Sequence, residues 1–278
     1  MDVRVHPGLD PAGHPGPVKV ALSTSSVYPL TPDHAFALAA DLGYDGVEVM
    51  VTGNSLSRDG DQLHALTQRF GVPVMAIHAP TLLLTQQVWG GAWNKIQRSA
   101  LLAQELGCDT VVVHPPFRWQ GKYASGFEEG VRRANETYGV KIAVENMYRW
   151  RTSGEGRQMY RPHWDPVPMD YEYVTWDFSH AATDRVDSLE AVRALGQRLT
   201  HVHLCDGTDS GADQHLQPGL GTQPVAQTLE FLAGAGFTGS VGVEVSTRRH
   251  RKMPGEMERV LGETLDFARE HLARPGAV

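Results

Sequence analysis

Seven positions in this 278-residue sequence pair a reactive residue type with an unexpected setting. Glu48, His78, His114, Glu145, Asp177, His203 and Glu244 each stand at or near the end of a short β-branched run, where another aliphatic residue would be the ordinary choice. Carboxylates and imidazoles crowded at one end of a fold repel or lose hydration unless cations neutralise them. They are also the ligands suited to zinc, manganese, iron or cobalt, with no thiolate required. Two local motifs extend the set. Asp177-Phe178-Ser179-His180 puts an imidazole three residues after a strand-end carboxylate, and Asp213-Gln214-His215, followed by Pro218-Gly219-Leu220-Gly221, puts the two groups two residues apart. Either spacing arises often by chance, so its weight comes from where it falls. Around these residues, His201 reads as a hydrogen-bonded core histidine one layer deeper than His203, and Asp206 as an outer partner. Glu48 reads as an outer partner, a substrate contact or a carboxylate paired with a basic side chain. Cys205 has no acid–base partner of its own, which argues against a nucleophile.

The elements that must position these groups follow from periodicity. β-Branched runs lie at residues 18–22, 46–49, 74–78, 110–114, 141–145, 174–177, 199–203 and 240–245, each bounded by turn or polar residues. Helical spacing between them links Phe36/Ala39/Ala40, Leu63/Leu66/Phe70, Ile96/Ala100/Ala103, Val192/Leu195/Leu199, Val225/Leu229/Leu232 and Leu261/Leu265/Ala268/Leu272. Thr31-Pro32 marks a helix start, and Gly43, Gly71, Gly107, Gly139 and Gly236 mark stops before the next strand. Strand and helix alternating eight times predict an α/β fold, a single (β/α)8 barrel, with the reactive residues at the C-terminal strand ends where such barrels do their chemistry. The rival, a doubly wound open sheet, lacks its glycine-rich G-x-G-x-x-G turn after the first strand. Residues 1–17, with four prolines and three glycines, read as a flexible N-terminal arm; 18–272 form the barrel and 273–278 a C-terminal tail. Ala76, Ala143 and Gly242, two residues before reactive positions, leave room beneath the site.

Composition narrows the classes. A net charge of −7 argues against a broad basic surface for nucleic acid, no run of about 18 apolar residues predicts a membrane span, and the arm lacks the apolar core of a signal peptide. Two cysteines, Cys108 and Cys205, form no disulfide framework, which suggests a reducing, cytoplasmic setting. Two loops carry basic and aromatic groups: Tyr148-Arg149-Trp150-Arg151 running on to Arg157, Tyr160, Arg161, His163 and Trp164, and Arg248-Arg249-His250-Arg251-Lys252. They read as a partial lid over a small polar or phosphorylated substrate, with Glu48, Arg149, Trp150, Arg248 and Arg249 as substrate contacts. Solvated charge runs or oligomer contacts are the bland alternatives. Trp89 and Trp93 read either as a wall of the pocket or as a contact between subunits of a homo-oligomer.

The phrases IHAP, VVHPP, VEN, D-x-x-H, HVHLCD, DQH-x-x-PG-x-G and VEV, in this order, resemble the xylose isomerase-like TIM-barrel superfamily, over roughly residues 18–272. That superfamily includes sugar and sugar-phosphate isomerases and epimerases, and endonuclease IV. The epimerase branch implies one divalent ion on Glu145, Asp177, His203 and Glu244. In that chemistry the ion stabilises an enediolate while Glu145 and Glu244 exchange the proton on either face, and His180 orients substrate oxygens. The endonuclease IV branch implies three zinc ions on His78, His114, Glu145, Asp177, His180, His203, Asp213, His215 and Glu244, activating water against a phosphodiester. The loops depart from the second branch: STSSVYPLTPDH lacks arginine, and APTLLLTQQ lacks the groups that branch inserts into DNA. A sugar or sugar-phosphate isomerase or epimerase holding one to three divalent ions, zinc or manganese, is therefore the leading expectation. A multi-zinc phosphoesterase is the alternative, and nucleic acid the less favoured partner.

Overall fold

The computed structural model describes residues 17–81, 85, 87–151, 156–250 and 252–273. Eight parallel strands close into a barrel in chain order: β1 (Lys19–Ser23), β2 (Gly46–Met50), β3 (Val74–His78), β4 (Thr110–Val113), β5 (Lys141–Glu145), β6 (Val174–Asp177), β7 (Leu199–Leu204) and β8 (Ser240–Val243), with β8 returning to β1. The fold is thus the expected (β/α)8 barrel. All but Pro17 of the arm, and all but Ala273 of the tail, lie outside the described residues.

Strand alternation divides the side chains into two layers. Val20, Leu22, Val47, Val49, Ile77, Val111, Val113, Ile142, Val144, Trp176, Val202 and Val241 join the continuous apolar core between sheet and helices. The alternate set, including Ala21, Ala76, Ala143, His201, His203 and Gly242, is buried but outside that apolar cluster, inside the barrel. Burying β-branched side chains on the outer face, at roughly 1.5–3 kcal/mol each, is what fixes the register. That register then sends the polar set inward.

The helices are α1 (Pro32–Leu42), α2 (Gly60–Phe70), α3 (Ala92–Leu106), α4 (Gly121–Ser125), α5 (Phe127–Tyr138), α6 (Phe178–Asp184), α7 (Ser188–Leu195), α8 (Val225–Gly234) and α9 (Glu256–Leu272). Gly43 and Gly107 end their helices at φ 83° and 74°, a left-handed conformation that costs glycine little. Two expectations need correction. Leu199 is the first residue of β7 rather than part of a helical stripe, because α7 stops at Leu195 and Gly196 turns at φ 55°. Strand–helix alternation also fails once: among the described residues no helix lies between β5 and β6. Pro162, Pro166 and Pro168 break helical hydrogen bonding there, and the segment instead covers the barrel mouth. Among the described residues, no helix is long and apolar enough to cross a membrane.

Candidate metal centre

All nine proposed ligands converge on one end of the barrel. Strand pairing sets Asp177 beside His203 and His203 beside Gly242, while Asp177, as N-cap of α6, accepts from the backbone N–H of His180 at 2.7 Å. The D-x-x-H spacing is therefore a capping turn that carries its imidazole into the site. Asn146, next to Glu145, accepts from the Asp177 N–H at 2.6 Å and donates to its carbonyl at 2.9 Å, tying two strand ends together. Ser179 donates to Asp213 Oδ1 at 2.7 Å and accepts from the N–H groups of Gln214 and His215. It thereby holds the D-x-H turn, in which His215 adopts φ 45°.

Among the described residues five overlapping donor groups share this space, three of them made up of proposed ligands alone. Glu145, Asp177, His203 and Glu244 bring ligand atoms within 4.8 Å of one another; so do His78, His114 and Glu145, and so do His180, Asp213 and His215. Within the first, His203 Nδ1 faces Glu145 Oε1 and Glu244 Oε2, each at 2.9 Å, and Asp177 Oδ2 at 3.7 Å. One ring nitrogen cannot donate its proton to three carboxylates. In the second, Glu145 Oε2 has His114 Nε2 at 2.8 Å and His78 Nε2 at 3.3 Å, yet it is buried with no hydrogen-bond partner of good geometry. Donor atoms that converge without satisfying one another fit a shared cation.

The far sides of the imidazoles support this reading. His78, His180 and His215 donate from Nδ1 to the carbonyls of Ala79, Asn146 and Glu244 at 3.1, 2.8 and 2.8 Å, and His203 Nε2 meets Glu48 Oε2 at 3.1 Å. A carbonyl can only accept, so the tautomer is fixed and the inward nitrogen of those three is left as a ligand. His114 alone lacks such a partner: its Nδ1 is buried and unpaired.

Electrostatics follow from the crowding. Burial would raise Glu145, but His203 and His114 outweigh it and hold the carboxyl well below its usual range. Glu244 behaves alike, falling to about 2 against burial through His203. Burial would lower His203, His180 and His215, but facing carboxylates hold all three well above the ordinary imidazole value. Asp177 is raised by burial, and burial keeps His114 below the usual value. Without a cation, protonated imidazoles carry the compensating charge.

Other sequence-predicted residues fall elsewhere. Glu48, read in part as a substrate contact, lies fully buried, accepting from Ser23 at 2.9 Å and meeting His201 and His203 at 2.8 and 3.1 Å. The small residues do leave room: a Cβ on Gly242 would sit 3.0 Å from His201 Nε2. Asp206, expected as an outer ligand partner, instead accepts from the N–H groups of Gly207, Gly219, Gly221 and Gln223, pinning the P-G-L-G turn. Arg149 pairs with Asp184 at 2.8 Å and stacks on Trp164, while Arg248 lies over Tyr28; Arg248 and Arg249 are exposed. Residues 152–155 and Arg251 of the two proposed loops lie outside the described residues. Cys205 is buried, with its thiol pushed up to about 12 by that burial.

Above the donors lies a cavity of about 230 Å³ whose floor includes His78, His114, Glu145, His180, His215 and Glu244. Trp150 is in its wall, as expected, with Tyr148, Phe117, Tyr160, Met147 and Met50. Phe117 stacks on Tyr160 and Trp119, and packs edge-on against Trp150, at 5.0, 4.5 and 5.7 Å between ring centres. Phe117, Met50, Met147, Asn146 and Ser179 were given no role from sequence; only Asn146, in the VEN phrase, and Ser179, inside the D-x-x-H motif, carried a signal. Trp93 packs on Tyr123 and Phe127, and neither Trp89 nor Trp93 lines this cavity.

The family described as xylose isomerase-like TIM barrel matches residues 36–271. An uncharacterized protein of Mycobacterium tuberculosis is 46% identical over 277 residues, spanning 92% of this chain and 99% of its own. Fructoselysine 3-epimerase of Escherichia coli O157:H7 is 22% identical over 254 residues, 83% of this chain and 91% of its own. Among solved structures, the 3-keto-D-glucoside 4-epimerase of E. coli (TM-score 0.66, 16% identity, 91% of this chain and 99% of that one) and a family 2 AP endonuclease of Brucella melitensis (0.64, 16%, 90% and 98%) share the fold. With strand ends, donor turns and barrel all in place, the chain belongs to the xylose isomerase-like TIM barrel family.

Proposed function

We propose that this protein is a divalent-metal-dependent isomerase or epimerase of a small polyhydroxylated substrate of the sugar class. One observation carries the reading: two buried glutamates, Glu145 and Glu244, converge on the same imidazole nitrogen at the floor of a small, aromatic-walled cavity. At about 230 Å³ the cavity is below the ~300–1,000 Å³ of drug-sized sites. Among the described residues no lysine or arginine lines it, which suits hydroxyl groups in its interior better than a nucleic-acid backbone.

The residues that would hold the ion are Glu145, Asp177, His203 and Glu244. A divalent ion there supplies Lewis-acid polarisation of a carbonyl and its neighbouring hydroxyl, acidifying the intervening C–H. Either glutamate, held below the usual carboxylate range, can act as the base that takes the proton from carbon. The same group returns it in an isomerisation; in an epimerisation the other glutamate, having first taken a proton from solvent, delivers it to the opposite face. His180 donates to a substrate oxygen, Phe117, Trp150 and Tyr160 cover the apolar face and exclude water, and Glu48 fixes the His203 ring from beneath.

A second reading, a multi-metal phosphoesterase, is favoured by the three donor groups built from the proposed ligands alone, two of which are bridged by Glu145. Metal analysis of protein purified without chelator, together with solvent-deuterium uptake by a panel of ketoses, separates the two. About one ion per chain with carbon-bound deuterium supports the isomerase. Two or three tightly held zinc ions, release of phosphate from a generic phosphodiester and no deuterium uptake overturn it.

A further inference from the structure

The missing partner of His114 leads to a second cavity. His114 also lines a second space of about 180 Å³, together with Thr81, Ala92, Lys95, Gln120 and Tyr123, so the two cavities share this residue. Its contents are one-sided. Lys95 is only 5% exposed, and its Nζ donates to the carbonyls of Pro80 and Thr85 at 2.9 and 2.8 Å, leaving one N–H. Among the described residues, no carboxylate lies within ion-pairing distance of it. Burial lowers its pKa, the sign expected of a cation without a counter-charge. Tyr123 Oη is buried with no hydrogen-bond partner, as is His114 Nδ1. Helix α3, 15 residues long, begins at Ala92 in the cavity wall with no side-chain cap and no acidic residue in its first turn. Its first N–H groups and the positive end of its dipole therefore receive no compensating side chain from the helix's own cap or first turn. The Gln120 side-chain oxygen Oε1 already accepts from the Phe117 N–H.

Buried donors and positive potential without an acceptor carry a cost that an anion removes. We propose that this cavity is a binding site for a small oxyanion group, a phosphate or carboxylate, whose oxygens accept from Lys95 Nζ and Tyr123 Oη, and also from His114 Nδ1 when a cation on Nε2 leaves the ring proton there. The anion supplies the outer partner that the other four imidazoles obtain from the protein, so its binding and the orientation of His114 are linked. The site does not depend on the reaction proposed above, and its source is either the charged end of the substrate or a free anion.

Calorimetric titration of chelator-treated, metal-free protein with inorganic phosphate tests this without any assay of activity. One saturable site per chain is expected. Lys95→Met weakens it by at least about tenfold, and Tyr123→Phe, which removes only the unpaired hydroxyl, by about threefold at unchanged thermal stability. Should Lys95→Met fail to fold, Tyr123→Phe decides alone. No saturable binding, or binding that the folded variants retain in full, overturns the proposal. Competition names the source: displacement of phosphate by fructose 6-phosphate but not fructose marks a substrate tail, and displacement by neither marks a free anion.

Discussion

The floor and the wall of the main cavity are built on opposite terms. The floor is a ring of acids and imidazoles on strand ends and one-turn extensions of them, nearly all buried and braced from beneath by Glu48, His201 and backbone carbonyls. The wall is Phe117, Trp150 and Tyr160, from the connections after β4 and β5, packed on one another and, at Trp150, 38% exposed. Strand ends are rigid because a closed sheet fixes them, and so suit groups that must meet to within fractions of an ångström. Loops tolerate change and suit the choice of substrate. On these grounds the floor sets the chemistry and the wall sets what reaches it.

The sharpest break of that division is Glu145→Gln. Turnover should fall by about a thousandfold or more, with loss of bound metal, while the barrel still unfolds cooperatively. Unchanged turnover would remove Glu145 from the mechanism. Next is Glu48→Gln, which touches no substrate: metal affinity should drop by about 10–100-fold with the circular dichroism spectrum intact. A variant that binds metal normally would make the buried Glu48–His203 contact merely structural. A wall substitution should behave differently. For Trp150→Ala we expect KM to rise about tenfold, with kcat and metal content held, and an equal fall in kcat would erase the distinction between wall and floor.

The smallest effect is on stability and pH, and it too should separate the regions. In metal-free protein the raised values of His180, His203 and His215 stabilise the fold fully below their unfolded value of about 6.5, and that contribution is lost as pH rises through the folded values. Glu244, lowered to about 2, contributes above its unfolded value of about 4.3, and that is lost as pH falls toward 2. The melting temperature measured with chelator should therefore be highest between about pH 4.3 and 6.5. Added zinc or manganese should abolish the decline on the alkaline side, because metal displaces those imidazole protons. Trp150→Ala should leave the profile unmoved.

Much of the floor was legible before any coordinates. A Glu, Asp or His closing a β-branched run is costly to bury, so its presence on strand after strand is informative, and the period-two alternation assigns each to the inner layer. The D-x-x-H and D-x-H spacings were legible in the same way, because a capping turn and a tight loop turn are local. Asp206 was misread because an acidic residue beside a site looks the same in sequence whether it braces a ligand or collects four backbone N–H groups. Helix α5 escaped the spacing analysis, and the eightfold strand–helix alternation overreached at the β5–β6 connection, whose residues 148–164 were read as a loop and where three prolines oppose a helix.

The sequence by itself thus determined the barrel, its polar inner layer and the identity of the convergent donors, because those rest on local periodicity and on the cost of burying charge. Only the tertiary structure decided the rest. It sorted the donors into three groups, moved Glu48 beneath them, assembled the aromatic wall from Phe117, Trp150 and Tyr160, and set Lys95, Tyr123 and His114 around one cavity. Those meetings join residues far apart in the chain, and their geometry depends on barrel closure and on loop packing, which no local pattern encodes.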